Sequence, residues 1–161
     1  MTDENDFWRF SLRVYAAPGV TPECLSLQDQ FAIDVNVLLF CAWLAVERGI
    51  ALTGDDLQEC EGAVSEWHNR CVRPLREARR AMKGLPGAED IRAEIKKLEL
   101  EAEKREQQTL YARALQRWPA HGNAARDEAL AKNLDLFLSA HGASGGYIVP
   151  SLLAAARCDR R

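Results

Sequence analysis

Hydrophobic residues recur at intervals of three and four along most of the chain, which is the period of an amphipathic α-helix. Near the N-terminus, Phe7 and Val14 share one face of a helix predicted over 6–17, with Asn5 or Asp6 as its cap. No convincing stretch alternates with a period of two between hairpin turns, as strands do. The pattern therefore predicts an all-α fold.

The most apolar part of the chain is the stretch 34–48, which is hydrophobic on nearly every side. A helix of this kind lies buried at the centre of a fold. Residues 22–48, after the start signal Thr21-Pro22, are expected to form either one long helix or two helices with a break near 31–34, and Asp34 would cap the second of these.

The pattern after this stretch predicts two long helices that form an antiparallel hairpin. Thr53 and Asp56 are spaced as a capping box, and an apolar seam with three-four alternation continues beyond them. Pro74 is expected to kink this first helix, because proline has no backbone N–H to donate. The second helix, over 88–118, is charged, and its apolar line comprises Ile91, Ile95, Leu98, Ala102, Leu110, Ala114 and Trp118.

A further helix is predicted over 123–140 with Asn123 as its cap, followed by a glycine-rich joint over 142–146. The predicted architecture is an all-α helical bundle of five to six helices with a long charged antiparallel helical hairpin. Residues 1–146 form a single helical domain in this interpretation. Residues 147–161 form a C-terminal segment, either a short helix after Pro150 or a flexible tail.

Composition fits a soluble globular domain, with 161 residues, 47% hydrophobic and 28% charged. We expect a cytoplasmic protein with no membrane contact, because no apolar run is long enough to span a bilayer and the first six residues are acidic. The five cysteines, without a CxxC pair, predict free thiols, and nothing in the sequence indicates a cofactor. The net charge of −3 offers no general attraction for nucleic acid.

Several short groups of residues resemble a proteobacterial family of conserved hypothetical proteins of about this size. These groups are Phe7-Trp8 with Tyr15, Leu27-Gln28-Asp29, Asp34-Val35-Asn36, Leu38-Leu39-Phe40, Trp43, Pro74-Leu75-Arg76 and Glu99-x-Glu101-Ala102-Glu103. The resemblance covers roughly residues 6–111. It implies a cytoplasmic bacterial protein and supplies no catalytic residues.

Polar side chains beside the most apolar helix define a first candidate site. Asp34, Asn36, Trp43, Trp67 and His68 would form a ligand pocket if the fold brought them together. The alternative is structural, with Asp34 as a helix cap and Asn36 as a buried packing group, and the sequence favours this alternative. A metal centre of His68 and Asp34 with Glu99 and Glu103 is also conceivable, but the paired Glu-x-x-His pattern of di-metal bundles is missing, so no metal site and no catalytic residue is assigned.

Basic residues define a second candidate site. Arg73, Arg76 and Arg80 share one helix face and are assigned to contact with an anion or a partner. The alternative is neutralisation by the following acidic helix, with Arg76 near 94–95 and Arg73 near 98–99, and the sequence favours it. No nucleic-acid motif accompanies the arginines, so nucleic acid is not an expected partner.

These observations favour a non-catalytic helical binding or regulatory module, which binds a protein partner or a second copy of itself as a homodimer. The arm over 101–118 is expected to project and supply that contact. The alternative is a small-molecule or enzymatic site around Asp34, Asn36, Trp67 and His68.

Overall fold

The computed structural model describes residues 4–143 and 149–158, and in these ranges it contains helices and no strands. The elements are α1 (Asp6–Tyr15), α2 (Val20–Phe31), α3 (Val35–Val46), α4 (Gly54–Trp67), a π-helical turn (His68–Val72), α5 (Arg73–Ala81), α6 (Glu89–Arg117), α7 (Arg126–Ala140) and α8 (Pro150–Arg157). The all-α class is confirmed. Because α4, the π-helical turn and α5 are continuous, the described ranges hold seven helical rods, more than the five to six predicted.

Three predicted helix starts are confirmed by their capping hydrogen bonds. Asn5 caps α1, Asp34 caps α3, and Thr53 with Asp56 forms the capping box of α4. The predicted break before α3 is also present, with Ala32 in the left-handed conformation at a φ of 52°. Short polar side chains at these positions satisfy backbone N–H groups that a helix leaves unpaired.

Two predicted helix starts are wrong. The second helix begins at Val20, after Gly19 in the left-handed conformation, and the Thr21 hydroxyl donates to the Tyr15 carbonyl instead of capping. The helix expected from residue 123 begins at Arg126, because the segment before it is bonded elsewhere. Its Gly122 and Ala124 N–H groups donate to the carbonyls of residues 48 and 49.

Helix α3 forms the centre of the molecule, as its all-round hydrophobicity predicted. Every residue from Asn36 to Val46 is buried, with α1, α6, α7 and α8 packed around the helix. Helix α8 belongs to the same core, since Leu152 is fully buried and the helix contacts α1, α2, α3 and α7. The joint expected over 142–146 falls mostly outside the described residues.

Helix α6 lies along the rod formed by α4, the π-helical turn and α5, with the two running in opposite directions. Arg117 is 3.0 Å from Asp56 near one end, and Arg76 is 3.0 Å from Glu99 near the other. The expected register, with Arg76 near 94–95, is therefore wrong by about one helical turn.

Within the described ranges, no helix is both long and apolar enough to cross a membrane.

The buried face of α6 differs from the predicted apolar line. Ile91 and Leu98 are each 56% exposed, whereas Glu99, Glu106 and Gln107 are buried beside Ala102, Leu110 and Ala114. The arm expected to project over 101–118 instead packs on α1, α3 and α4. Polar side chains replace apolar ones on this face because partners on the rod and at the start of α3 bind them.

Candidate functional site

Three polar side chains from distant parts of the chain meet beside the start of α3. The His68 Nδ1 atom is 3.1 Å from Asp34 Oδ2 and 3.2 Å from Glu106 Oε2. One ligand atom from each residue lies within 4.8 Å of the others. We call these three residues the acid–histidine cluster.

Local structure fixes two members of the cluster. Asp34 caps α3 by accepting the Asn36 N–H at Oδ1, which leaves Oδ2 directed at His68. His68 opens the π-helical turn, whose wider winding bonds the Arg73 N–H to the His68 carbonyl. Pro74 follows directly, so the irregularity predicted for this proline takes the form of a π-helical turn. Such turns occur frequently at functional sites.

Glu106 is the member that the sequence analysis did not identify. Its side chain is completely buried, and its Oε1 atom has no hydrogen-bond partner among the described residues. Its spacing in the sequence could have indicated that it is buried, because Glu106 lies one helical turn after Ala102 and one turn before Leu110, both of which are buried. A carboxylate at such a position must be paired, protonated or bound to a cation.

Burial controls the protonation of the acid–histidine cluster. Burial, with the hydrogen bond and the negative charge of Glu106, holds the pKa of Asp34 well above its ordinary value. Burial likewise raises the pKa of Glu106. Burial lowers the pKa of His68 despite the opposing effect of Asp34, so the imidazole is neutral at neutral pH. The cluster thus holds a neutral imidazole beside two carboxyl groups whose pKa values are raised.

A second polar layer surrounds the cluster. Arg76 donates to Glu99 at 3.0 Å and to Glu103 at 2.8 Å, and Arg79 also pairs with Glu99. These pairs show that Glu99 and Glu103, considered as metal ligands from sequence, are turned towards arginines. Arg76 and Arg79 are therefore neutralised internally, as the sequence favoured for this helix.

Asn36 belongs to a neighbouring buried contact. Its side-chain oxygen accepts an N–H of the Gln107 amide at 2.9 Å. Asn36 is two residues after Asp34, and Gln107 directly follows Glu106, so this contact adjoins the cluster. Asn36 and Gln107 also line a cleft of about 160 Å³ with Arg76 and Glu103. Asn36 thus lies near Asp34 and His68, as the pocket hypothesis requires, but its side chain binds Gln107 and contacts neither of them by a hydrogen bond.

A narrow cleft reaches one member of the cluster, His68. Its volume is about 120 Å³, and His68 lines it together with Arg73, Arg76 and Arg80. The three arginines chosen from sequence as anion contacts therefore stand around the access to the imidazole. Since a water occupies about 30 Å³ of liquid, the cleft has room for a few waters or a small oxyanion.

The two tryptophans of the predicted pocket do not join the cluster. Trp43 is buried in an aromatic group with Phe7, Phe40 and Tyr111, about 10 Å along α3 from Asn36. Trp67 is 37% exposed and donates its indole N–H to the Ala102 carbonyl at 2.9 Å. Both residues serve packing between helices.

Comparison with known proteins gives a family and nothing more specific. No curated protein and no solved structure matches the chain significantly. A family model matches residues 6–110, a range that includes Asp34, His68 and Glu106. The chain therefore belongs to the family described as a protein of unknown function, DUF2390.

Proposed function

We propose that this protein is a divalent-cation-binding helical domain in which Asp34, His68 and Glu106 hold the ion. The observation that carries the proposal is the convergence of one imidazole nitrogen and two carboxylate oxygens in a buried position. The antiparallel hairpin of α4–α5 with α6 provides His68 and Glu106, and the cap of α3 provides Asp34. This proposal replaces the expectation from sequence that no metal is bound.

The spacing of the ligand atoms supports a metal centre. Ligands bonded to one ion at about 2.0–2.2 Å lie roughly 3.0–3.5 Å from each other in octahedral or tetrahedral geometry. The distances from His68 Nδ1 to the two carboxylates, 3.1 and 3.2 Å, fall in that interval. The imidazole would bind through Nδ1.

The charge of the cluster also supports a cation. With His68 neutral, full ionisation of Asp34 and Glu106 would leave two negative charges in a buried position, which is costly. A divalent ion offsets both charges and therefore favours the ionised form of the two carboxyl groups. The mixed nitrogen and oxygen donors favour ions such as Zn²⁺ or Mn²⁺ over Ca²⁺, which prefers oxygen ligands.

Three protein ligands leave at least one coordination position open, as in metal sites that act on small molecules. In this proposal the open position faces the cleft lined by Arg73, Arg76 and Arg80. A small-molecule site around Asp34 and His68 is thus the sequence hypothesis that this geometry supports best. Trp67 has no part in it.

Calorimetric titration of the ion-free protein with ZnCl₂ and MnCl₂ tests the proposal. Asp34→Asn retains the cap of α3 and Glu106→Gln retains the side-chain shape, so both variants remove charge with little change of structure. We expect either variant to weaken binding by at least about tenfold. Glu66→Gln is the control, because it removes one negative charge from an exposed carboxylate on the same rod. This variant should bind the metal ions as tightly as the wild type does. Absence of saturable binding to the wild type would contradict the proposal.

A second candidate function is association through the exposed edge of α6. Ile91 and Leu98 lie seven residues apart on one face, and each is 56% exposed. We propose this stripe, in place of the segment 101–118, as the surface for a second copy of the chain. Light scattering over a concentration series should show a dimer that Leu98→Glu converts to a monomer. A wild type that is monomeric at every concentration would exclude this dimer.

A further inference from the structure

A wide basic groove lies between α2, α5 and α6, next to the narrow cleft at His68, with which it shares Arg76 and Arg80. Its volume is about 890 Å³. Seven cationic residues line it, namely Arg76, Arg79, Arg80, Lys83, Arg92, Lys96 and Lys97. The carboxylates in the lining are those of Glu99 and Glu103. This concentration of positive charge occurs in a chain whose net charge is −3. The local excess indicates an anionic ligand.

The groove divides into a neutralised side and an open side. Glu99 and Glu103 pair with Arg76 and Arg79, so these four groups are satisfied internally. In the described part of the chain, no carboxylate is within ion-pair distance of Lys83, Arg92 or Lys96. We call these three residues the open cations.

Arg92 gives a second and independent indication. Its Nε atom is buried, yet no hydrogen-bond acceptor is within reach among the described residues. A buried donor without an acceptor is unfavourable, whereas a guanidinium is well suited to bind phosphate through several N–H groups. An oxyanion in the groove would supply the missing acceptor once the guanidinium turns towards it.

We propose that the groove binds a phosphorylated small molecule that carries at least two negative charges, with the open cations as its principal contacts. The apolar side chains of Leu25 and Leu100, with Tyr15, form a wall for the organic part of the ligand. The volume falls within the usual range of small-molecule pockets. The confined shape favours a small molecule over a nucleic acid, which needs a basic surface that follows its backbone. The inference does not depend on the proposed cation site.

Titration calorimetry with two probes, inorganic tripolyphosphate and adenosine triphosphate, tests the proposal in a low-salt buffer containing EDTA. Lys83→Glu and Lys96→Glu change exposed residues without ion pairs, so the fold should be retained, and circular dichroism checks this. We expect each variant to weaken binding of both probes by about tenfold. Lys132→Glu, on an exposed position of α7 outside the groove, changes the net charge equally and should alter affinity by less than about twofold.

Three outcomes would overturn the proposal. They are the absence of saturable binding to the wild type, equal weakening by Lys132→Glu, and tighter binding of a single-stranded RNA oligonucleotide with the same dependence on Lys83 and Lys96. Glu106→Gln distinguishes the groove from the acid–histidine cluster, because tripolyphosphate binding should be unchanged in this variant. Loss of phosphate binding in Glu106→Gln would contradict the assignment to the groove.

Discussion

At the scale of single residues, Glu106 is the side chain whose position is hardest to explain by stability alone. It occupies a fully buried position on α6 where helical periodicity predicts an apolar residue, and one of its oxygens has no hydrogen-bond partner among the residues that the structure describes. Removing one charge from such a cluster often increases stability, because the desolvation cost of the carboxylate is lost. Retention of a costly group is typical of binding sites.

Glu106→Gln should therefore stabilise the ion-free protein at neutral pH, by roughly 1 kcal/mol in the free energy of unfolding. Burial raises the pKa of Glu106, so the folded state binds its proton more tightly than the unfolded state does. The resulting stabilisation is complete below about pH 4 and is lost as pH rises through the folded-state pKa.

Urea unfolding of wild type and Glu106→Gln between acid and neutral pH measures this difference directly. The two stabilities should be similar near pH 4 and should separate as pH rises, with the variant more stable. Titrating groups that do not contact Glu106, such as Glu99, contribute to both proteins and cancel in the comparison. The pKa of Asp34 falls when the Glu106 charge is removed, which increases the expected difference in the same direction. A variant that is less stable than wild type at neutral pH would show that Glu106 is a structural residue.

Sequence reasoning found two of the three cluster residues. Asp34 follows from its position before the most apolar helix, and His68 from its place beside the apolar seam. The sequence does not distinguish Glu106 because it stands in a run of charged and polar residues over 104–108, which is typical of a solvated helix face. Only the three-dimensional packing shows which carboxylate of that run turns inward.

At the scale of the elements, the loop between α3 and α4 is held by one side chain of α7. Asn133 is completely buried, and its amide donates to the carbonyls of Cys41 and Ile50, while its oxygen accepts the Leu52 N–H at 2.8 Å. The contact joins α7 to α3 and to the loop after α3, across sequence separations of 81 to 92 residues.

Asn133→Ala should destabilise the protein by about 2–4 kcal/mol, because it removes three hydrogen bonds and leaves the Leu52 N–H and the Ile50 carbonyl without their side-chain partner. Chemical denaturation of the variant checks this value. Asn69→Ala, at an exposed position of the π-helical turn, is the matched control and should change stability by less than about 0.5 kcal/mol. Equal effects of the two substitutions would disprove the role given to Asn133.

The sequence predicts where a helix begins when a capping residue near that position fixes its first turn. It does not predict a helix start that depends on contacts with distant parts of the chain. The capping box of Thr53 and Asp56 is contained in four residues, so the sequence specifies it. The start of α7 depends on hydrogen bonds from Gly122 and Ala124 to residues 48 and 49, which no local pattern reveals. The rotation of α6, which exposes Ile91, likewise depends on partners elsewhere in the chain.

At the scale of the whole molecule, the C-terminal helix completes the core. Glu23 of α2 accepts the backbone N–H groups of Ser151 and Leu152, and Leu152 is fully buried. Helix α8 is thus fixed both at its N-terminus and along its apolar face, which fits better with a structural part of the domain than with a loose tail.

Leu152→Ala should lower the free energy of unfolding by about 2–5 kcal/mol, the usual cost of a cavity in a well-packed core. Thermal unfolding followed by circular dichroism checks this expectation. Leu153→Ala, the neighbouring and less buried leucine, is the control and should have a smaller effect. If truncating Leu152 left the melting temperature unchanged, α8 would have no part in core stability.

Anomalous diffraction from a crystal soaked in MnCl₂ is the most direct test of cation binding by the acid–histidine cluster. We expect one manganese peak bonded to His68 Nδ1 and to a carboxylate oxygen of both Asp34 and Glu106, at about 2.0–2.3 Å. The same soak of a Glu106→Gln crystal should lack this peak. Density for manganese only on surface carboxylates, with the three residues still in mutual contact, would contradict the proposed cation site.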